Sequence, residues 1–427
     1  MNNPLALVRD DLAWSLLRQG YDALPQRWSG DEVATTARLL GRRTVLVRGP
    51  EGVRLFYDPD VVRRQGAVPR PLADVLFGRG AVHGLDGAEH RRRKGMFLDL
   101  LDRPWVERLA GEVGHELDTV TAGWPGARVR VFEELVGVYG RSVLRVAGVE
   151  LSRPAADRVA RDLAVVVDGF GFAGAAYARA VLQRARLDRW AARLVRDVRH
   201  GRVSPPPGTL LHRLAVGEGA ALPSRVAGVE LLNVLRPTVA VAWLATFAAR
   251  ELVLRPDLAA SLGDDRREHV AFGHEVRRLA PFVPALTGSV VRPARLGAVD
   301  LRPGDRVLLD VPATDTWPAS FPDPDELRPQ RFAEEPDAWS YVPQGGGEVD
   351  AGHRCPGEPS TVALLAETTR VLCGLDLRAA ATTYVDRHRI PTLPVGGLVL
   401  QVGPGRSGTN DPAPQRRRAG IVAGEDG

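Results

Sequence analysis

Cys355 stands in the run Gln344-Gly345-Gly346-Gly347-Glu348-Val349-Asp350-Ala351-Gly352-His353-Arg354-Cys355-Pro356-Gly357-Glu358, a glycine-rich loop leading into an apolar helix that begins near Pro359. A cysteine binds iron as a thiolate, and backbone N–H groups of such a loop at a helix start favour that charge. Pro356 and Gly357 open the helix without bulk that would crowd a flat macrocycle. The chemistry this pattern points to is axial ligation of a haem iron. Alone, the same string also reads as a loop that merely contains a thiol.

Two further segments bear on that choice. Glu275 and Arg278 are three residues apart and share a helix face, a pattern also found on many solvated helices. They are followed by Arg328-Pro329-Gln330-Arg331-Phe332, whose second arginine can close a buried Glu–Arg–Arg network, and then by the Cys355 loop. Arg236 interrupts the apolar helix Val226–Val253 and is followed by Pro237. A lone buried guanidinium loses several kcal/mol of solvation unless an anion meets it, and a bidentate carboxylate is its best partner. The plain alternative is a pair with a glutamate or a carbonyl of the chain itself, Pro237 only kinking the helix.

These residues need a frame. A chain of 427 residues with 44% hydrophobic content is longer than one core usually serves, so two lobes around a cofactor are expected. Apolar faces at three- and four-residue spacing predict helices at 104–121, 156–167, 176–200, 225–254, 268–279 and 359–373. Shorter strand-like pieces are Thr44–Val47, Arg54–Tyr57, Gly288–Val291, Arg306–Leu309 and Gly397–Val402, and 201–208 reads as a proline-rich surface connection. The fold class expected is mainly α, a large helical domain with small sheets.

Cys355 and Cys373 are the only cysteines, too few and too unlike in setting for a disulfide framework or a zinc site, so a reducing cytoplasm is expected. The first residues lack a basic stretch followed by a long apolar run, so neither a signal peptide nor a membrane anchor is expected there. The net charge of +5 comes from 57 basic residues spread among 52 acidic ones, which argues against a nucleic-acid partner. The domain expected is 1–403, and 404–427, with Arg416-Arg417-Arg418 amid Gly, Pro, Asp and Asn, reads as a disordered tail.

With E-x-x-R, the Arg-Pro-x-Arg-Phe box and the cysteine loop in this order, residues 5–403 resemble the cytochrome P-450 superfamily of haem-thiolate oxygenases. The resemblance implies the P-450 fold around a buried haem b, with Cys355 as axial ligand and Glu275, Arg278 and Arg331 in a structural role. Glu348 and His353 replace the phenylalanine and arginine most members carry, and the loop looks instead like that of the bacterial fatty-acid peroxygenases. Leu231 to Ala240, centred on Arg236-Pro237, is similar to the peroxygenase helix in which the arginine holds the substrate carboxylate and the usual acid–alcohol proton relay is missing. The carboxylate would then serve as base and acid in cleaving the O–O bond of hydrogen peroxide.

The same resemblance places His83 and Phe77 in the distal pocket, His83 as a near-neutral histidine that steers between hydroxylation at Cα or Cβ and decarboxylation to a terminal alkene. Leu76, Phe282 and Val283 would line the acyl channel, and Arg64, His90, Lys94, His353 and Arg354 would contact the haem, the first three at its propionates. Fatty acid and hydrogen peroxide are the expected substrates, with no obligatory redox partner. A reductase-fed monooxygenase, and a haem-binding sensor or lipid carrier without catalysis, are the other readings.

Overall fold

The computed structural model describes residues 11–171, 174–350 and 352–404. The expected tail, apart from Pro404, lies outside them.

Helix Ser224–Leu254 is apolar on every side and runs through the middle of the larger lobe, where burial rather than propensity holds it. Ala175–Arg199, Val131–Val146 and Glu358–Cys373 pack against it. A side chain at Gly228 would put a Cβ 2.7 Å from the Ala192 nitrogen, so glycine sets how closely Ser224–Leu254 approaches Ala175–Arg199. Glu358–Cys373 also contacts Arg103–Thr121 and Arg266–Leu279, which binds the cysteine loop's helix into the same core.

The smaller lobe is a five-stranded mixed sheet in the order Ala34–Leu39, Arg42–Val47, Arg306–Asp310, Ala285–Val290, Val62–Arg63. Its central parallel pair is registered Val45 against Val307. Its buried face, with Val45, Val47, Val307 and Leu309, closes on Val53 and Phe56 in a second hydrophobic cluster.

The mainly helical expectation holds, with corrections in detail, and Val131–Val146 is a further long helix beyond those expected. Arg54–Tyr57 is not a strand but the end of helix Gly49–Tyr57, whose buried Val53 and Phe56 are three residues apart; the short run hid that spacing. Helix Gly87–Leu100 escaped the periodicity test because it buries His90, Arg93 and Lys94 along with its apolar residues.

Candidate active site

The cysteine loop is folded by its own backbone and by buried charge. Cys355 N–H donates to the Gln344 carbonyl at 3.0 Å, and the Gln344 Nε2 lies 3.7 Å from Sγ while donating to Thr361 Oγ1 at 3.1 Å. Lys94 Nζ donates to the Gly352 carbonyl at 3.1 Å and to that of Arg354. Arg354 donates to Glu358 Oε2 at 2.8 Å, and Arg277 bridges the other Glu358 oxygen at 2.5 Å to Gln344 Oε1 at 2.9 Å. Helix Glu358–Cys373 starts at the expected place, after Gly357.

Burial pushes the Cys355 thiol up from its usual value, against the pull of the Gly357 backbone N–H and of Lys94 and Arg277.

Above the sulfur lies a cavity of about 1010 Å³. Its walls come from both lobes: Val234, Ala240, Val241 and Leu244 of the central helix, and Phe282, Val283 and Leu286 beside the sheet. Phe77, His83, His90, Lys94, His353 and Arg354 line it, as do Arg236, Pro237 and Cys355.

Arg236 is 6% exposed, and its partner in the chain is the Leu76 backbone carbonyl, the carbonyl pairing of the plain alternative, rather than a glutamate. Its Nε has no protein partner. Burial, with the positive charge of Arg184 nearby, pulls its pKa down to about 9. Arg184 donates to the carbonyls of Leu76 and Phe77, both at 3.2 Å, and to Asp188 at 2.9 Å. Gly78 is at φ +87°, and a Cβ there would run into the Arg184 guanidinium, so this turn requires glycine.

His83 stacks on Phe77 with ring centroids 4.2 Å apart, its exposed edge facing the cavity. Burial, followed by the charges of Arg236, His353 and Lys94, drives its pKa down to about 3. A neutral imidazole there offers the cavity one donor and one acceptor nitrogen.

The remaining expected residues divide. His90 stacks on His353 at 3.8 Å along the cavity wall, and His353 Nε2 lies 3.2 Å from Asp86. Arg354 borders the cavity but spends its guanidinium on Glu358. Arg64 is not among the residues lining the cavity; it donates to the Thr287 carbonyl at 2.9 Å and lies 3.8 Å over the Phe56 ring. Leu76 contributes its carbonyl rather than a wall. Glu275 receives Arg278 bidentately at 2.7 and 2.8 Å with Arg331 3.4 Å away.

Sequence reasoning missed the buried pairs Arg93–Glu230, at 2.6 Å, and Arg277–Glu358. The available signal was Glu230 itself, a lone acid in the apolar run Val229-Glu230-Leu231-Leu232.

The site fits a haem. Among the described residues no group of three or more His, Cys, Asp or Glu could hold a metal ion, so an iron bound at Cys355 must bring its remaining ligands with it, as a porphyrin does. Gly357 lies beside the sulfur, where a Cβ would make only ordinary contact, 3.8 Å from Sγ and 3.9 Å from Leu101. Five lining residues, Trp105, Asn233, Arg236, Arg277 and Ser360, carry buried polar atoms without a protein partner.

No family model matches the chain. A stretch of 82 residues is 44% identical to linoleate diol synthase of Gaeumannomyces graminis, covering 19% of this chain and 6% of that protein. Over 350 residues the chain is 27% identical to putative cytochrome P450 139 of Mycobacterium tuberculosis, 71% of this chain and 78% of that protein. Among solved structures, cytochrome P450SP alpha in complex with (R)-ibuprophen is 33% identical with a TM-score of 0.85, covering 92% of this chain and 98% of that one. Cytochrome P450 OleT in complex with arachidonic acid is 28% identical with a TM-score of 0.87, covering 92% and 96%. The fold, the cysteine floor and these likenesses agree, and the chain belongs to the haem b-containing cytochrome P450 enzymes, in the fatty-acid peroxygenase branch.

Proposed function

We propose that the protein oxidises fatty acids with hydrogen peroxide at Cα or Cβ, without an obligatory redox partner, in the cytoplasm. The observation that carries this is Arg236, a buried cation with an unpartnered Nε on the wall of an apolar cavity floored by Cys355. The solved complexes with arachidonic acid and with ibuprofen support it, since both ligands are carboxylic acids.

Cys355, backed by the Gln344 and Lys94 contacts, is the residue that would hold the haem, with His90, Lys94 and His353 at its edge. The haem would supply oxidation at an unactivated C–H bond. Arg236 binds the acid's carboxylate, and the apolar wall from Phe77 to Phe282 and Val283 excludes water from the chain. Pro237 stands where a relay residue would be needed, so the bound carboxylate itself takes and returns the proton of the peroxide. His83, neutral, offers that carboxylate a hydrogen bond rather than a charge. Hydroxylation consumes one peroxide and releases one water. Decarboxylation consumes one peroxide and gives a terminal alkene, carbon dioxide and two waters.

Purified haem-loaded protein, a saturated fatty acid and hydrogen peroxide, with no reductase, are the test. Hydroxy acid or one-carbon-shorter alkene is the expected product by gas chromatography and mass spectrometry; bound acid without product overturns the proposal.

A further inference from the structure

Glu230 lies on the central helix six residues before Arg236 and is fully buried. Its Oε1 accepts the Val82 N–H at 3.0 Å and Arg93 at 2.6 Å; its Oε2 accepts Asn233 Nδ2 at 2.9 Å. Val82 is the first residue of the single turn Val82–Gly84 that carries His83. Arg93 comes from Gly87–Leu100, the helix that also presents His90 and Lys94 to the cavity, and reaches the Gly80 carbonyl at 3.4 Å. One carboxylate therefore joins three things: the backbone under His83, the helix at the haem edge, and Asn233, one helical turn from Arg236.

We propose that Glu230, fixed by Arg93, is a positioning residue that holds the His83 turn against the central helix and thereby sets the balance between hydroxy acid and alkene. The part concerning products rests on the proposed function. Among the described residues, the Val82 hydrogen bond is the one that joins this turn to the helix, beside the apolar packing of Val82 itself. A 3-10 turn of three residues has little stability of its own, whereas a hydrogen bond to a buried carboxylate is among the stronger restraints a backbone N–H can receive. Displacing the turn would move His83 relative to Arg236 without touching either side chain.

The test uses haem-loaded Glu230→Gln and Glu230→Leu proteins, each made also in a His83→Gln background. Glu230→Gln keeps the shape and an acceptor, so it separates loss of charge from loss of fold. Amide hydrogen exchange reads the restraint without any turnover: Val82 should exchange about fivefold faster or more in Glu230→Leu, with helix Arg103–Thr121 unchanged. Unchanged exchange at Val82 overturns the proposal.

With fatty acid and peroxide, the alkene to hydroxy acid ratio should move by about threefold or more in the Glu230 variants and stay put when His83 is already glutamine. A shift of equal size in both backgrounds shows that Glu230 does not act through His83, and overturns it. No product from the parent protein defeats the fatty-acid reading and the steering with it, while exchange at Val82 still decides whether Glu230 holds the turn.

Discussion

Arg236 is a destabilising residue in the absence of an acid. Its charge is buried, one nitrogen has no partner, and its one bond is to a neutral carbonyl. Arg236→Met should leave haem binding intact and stabilise the acid-free protein by roughly 1–2 kcal/mol in chemical denaturation, while lowering kcat/KM for fatty acid by about 100-fold or more. Saturating acid should raise the melting temperature of the parent and not of the variant. His274 gives a second prediction. Burial and then Arg277 lower its pKa to about 4, so the unfolded chain binds a proton below about pH 6.5 that the folded chain refuses until about pH 4. The stability it contributes is complete above that window and is lost as pH falls through it. Thermal melts from pH 8 to pH 4 should show this acid limb, and His274→Gln should flatten it.

The turn after helix Arg70–Leu76 is a joint between elements, because Arg184 from Ala175–Arg199 and Arg236 from the central helix both end on it. Gly78→Ala forces a side chain into a positive-φ position already filled by Arg184. It should cost about 2–4 kcal/mol in urea denaturation and displace Phe77, weakening acid binding as read by titration of the Soret band. Elements such as the central helix were legible in the sequence because their apolar spacing is regular over many residues. Gly87–Leu100 was not, since its buried face is built from charges whose partners are elsewhere: Lys94 is satisfied by the Gly352 and Arg354 carbonyls and Arg93 by Glu230. Periodicity detects burial of apolar groups and is blind to burial of paired ones.

Across the whole molecule, the two lobes meet over the cavity, and the Glu275 network lies where the helical core joins the segments leading to the cysteine loop. Arg278 ties Glu275 to the carbonyls of Asp315, Pro324 and Glu326. Glu275→Gln leaves that arginine buried without its counter-charge and should cost about 3–5 kcal/mol, seen as haem loss and unfolding at lower urea rather than as a changed product ratio. Cys355, Arg236 and the Glu275 network could be read from the sequence because each is marked by close neighbours: a glycine loop, a proline, an arginine three residues on. Arg277–Glu358 and Arg93–Glu230 join residues 81 and 137 apart, and only the folded chain brings them together. The setting of His83 was illegible for a related reason: its proton affinity is set by burial and then by charges from three separate segments, the central helix, the cysteine loop and Gly87–Leu100.

The shared Leu76 carbonyl has a consequence for which acids are accepted. A carboxylate that takes Nη1 along with the free Nε displaces that carbonyl, so such binding is an exchange and begins at a deficit. Arg184, which also serves that carbonyl, keeps it satisfied once Arg236 leaves, and so keeps the deficit small. What remains has to be met by burying methylenes, at about 0.8 kcal/mol each. Selection by length would then be a threshold, with the shortest acids failing to dislodge the arginine and every longer one differing from the next by a nearly constant factor.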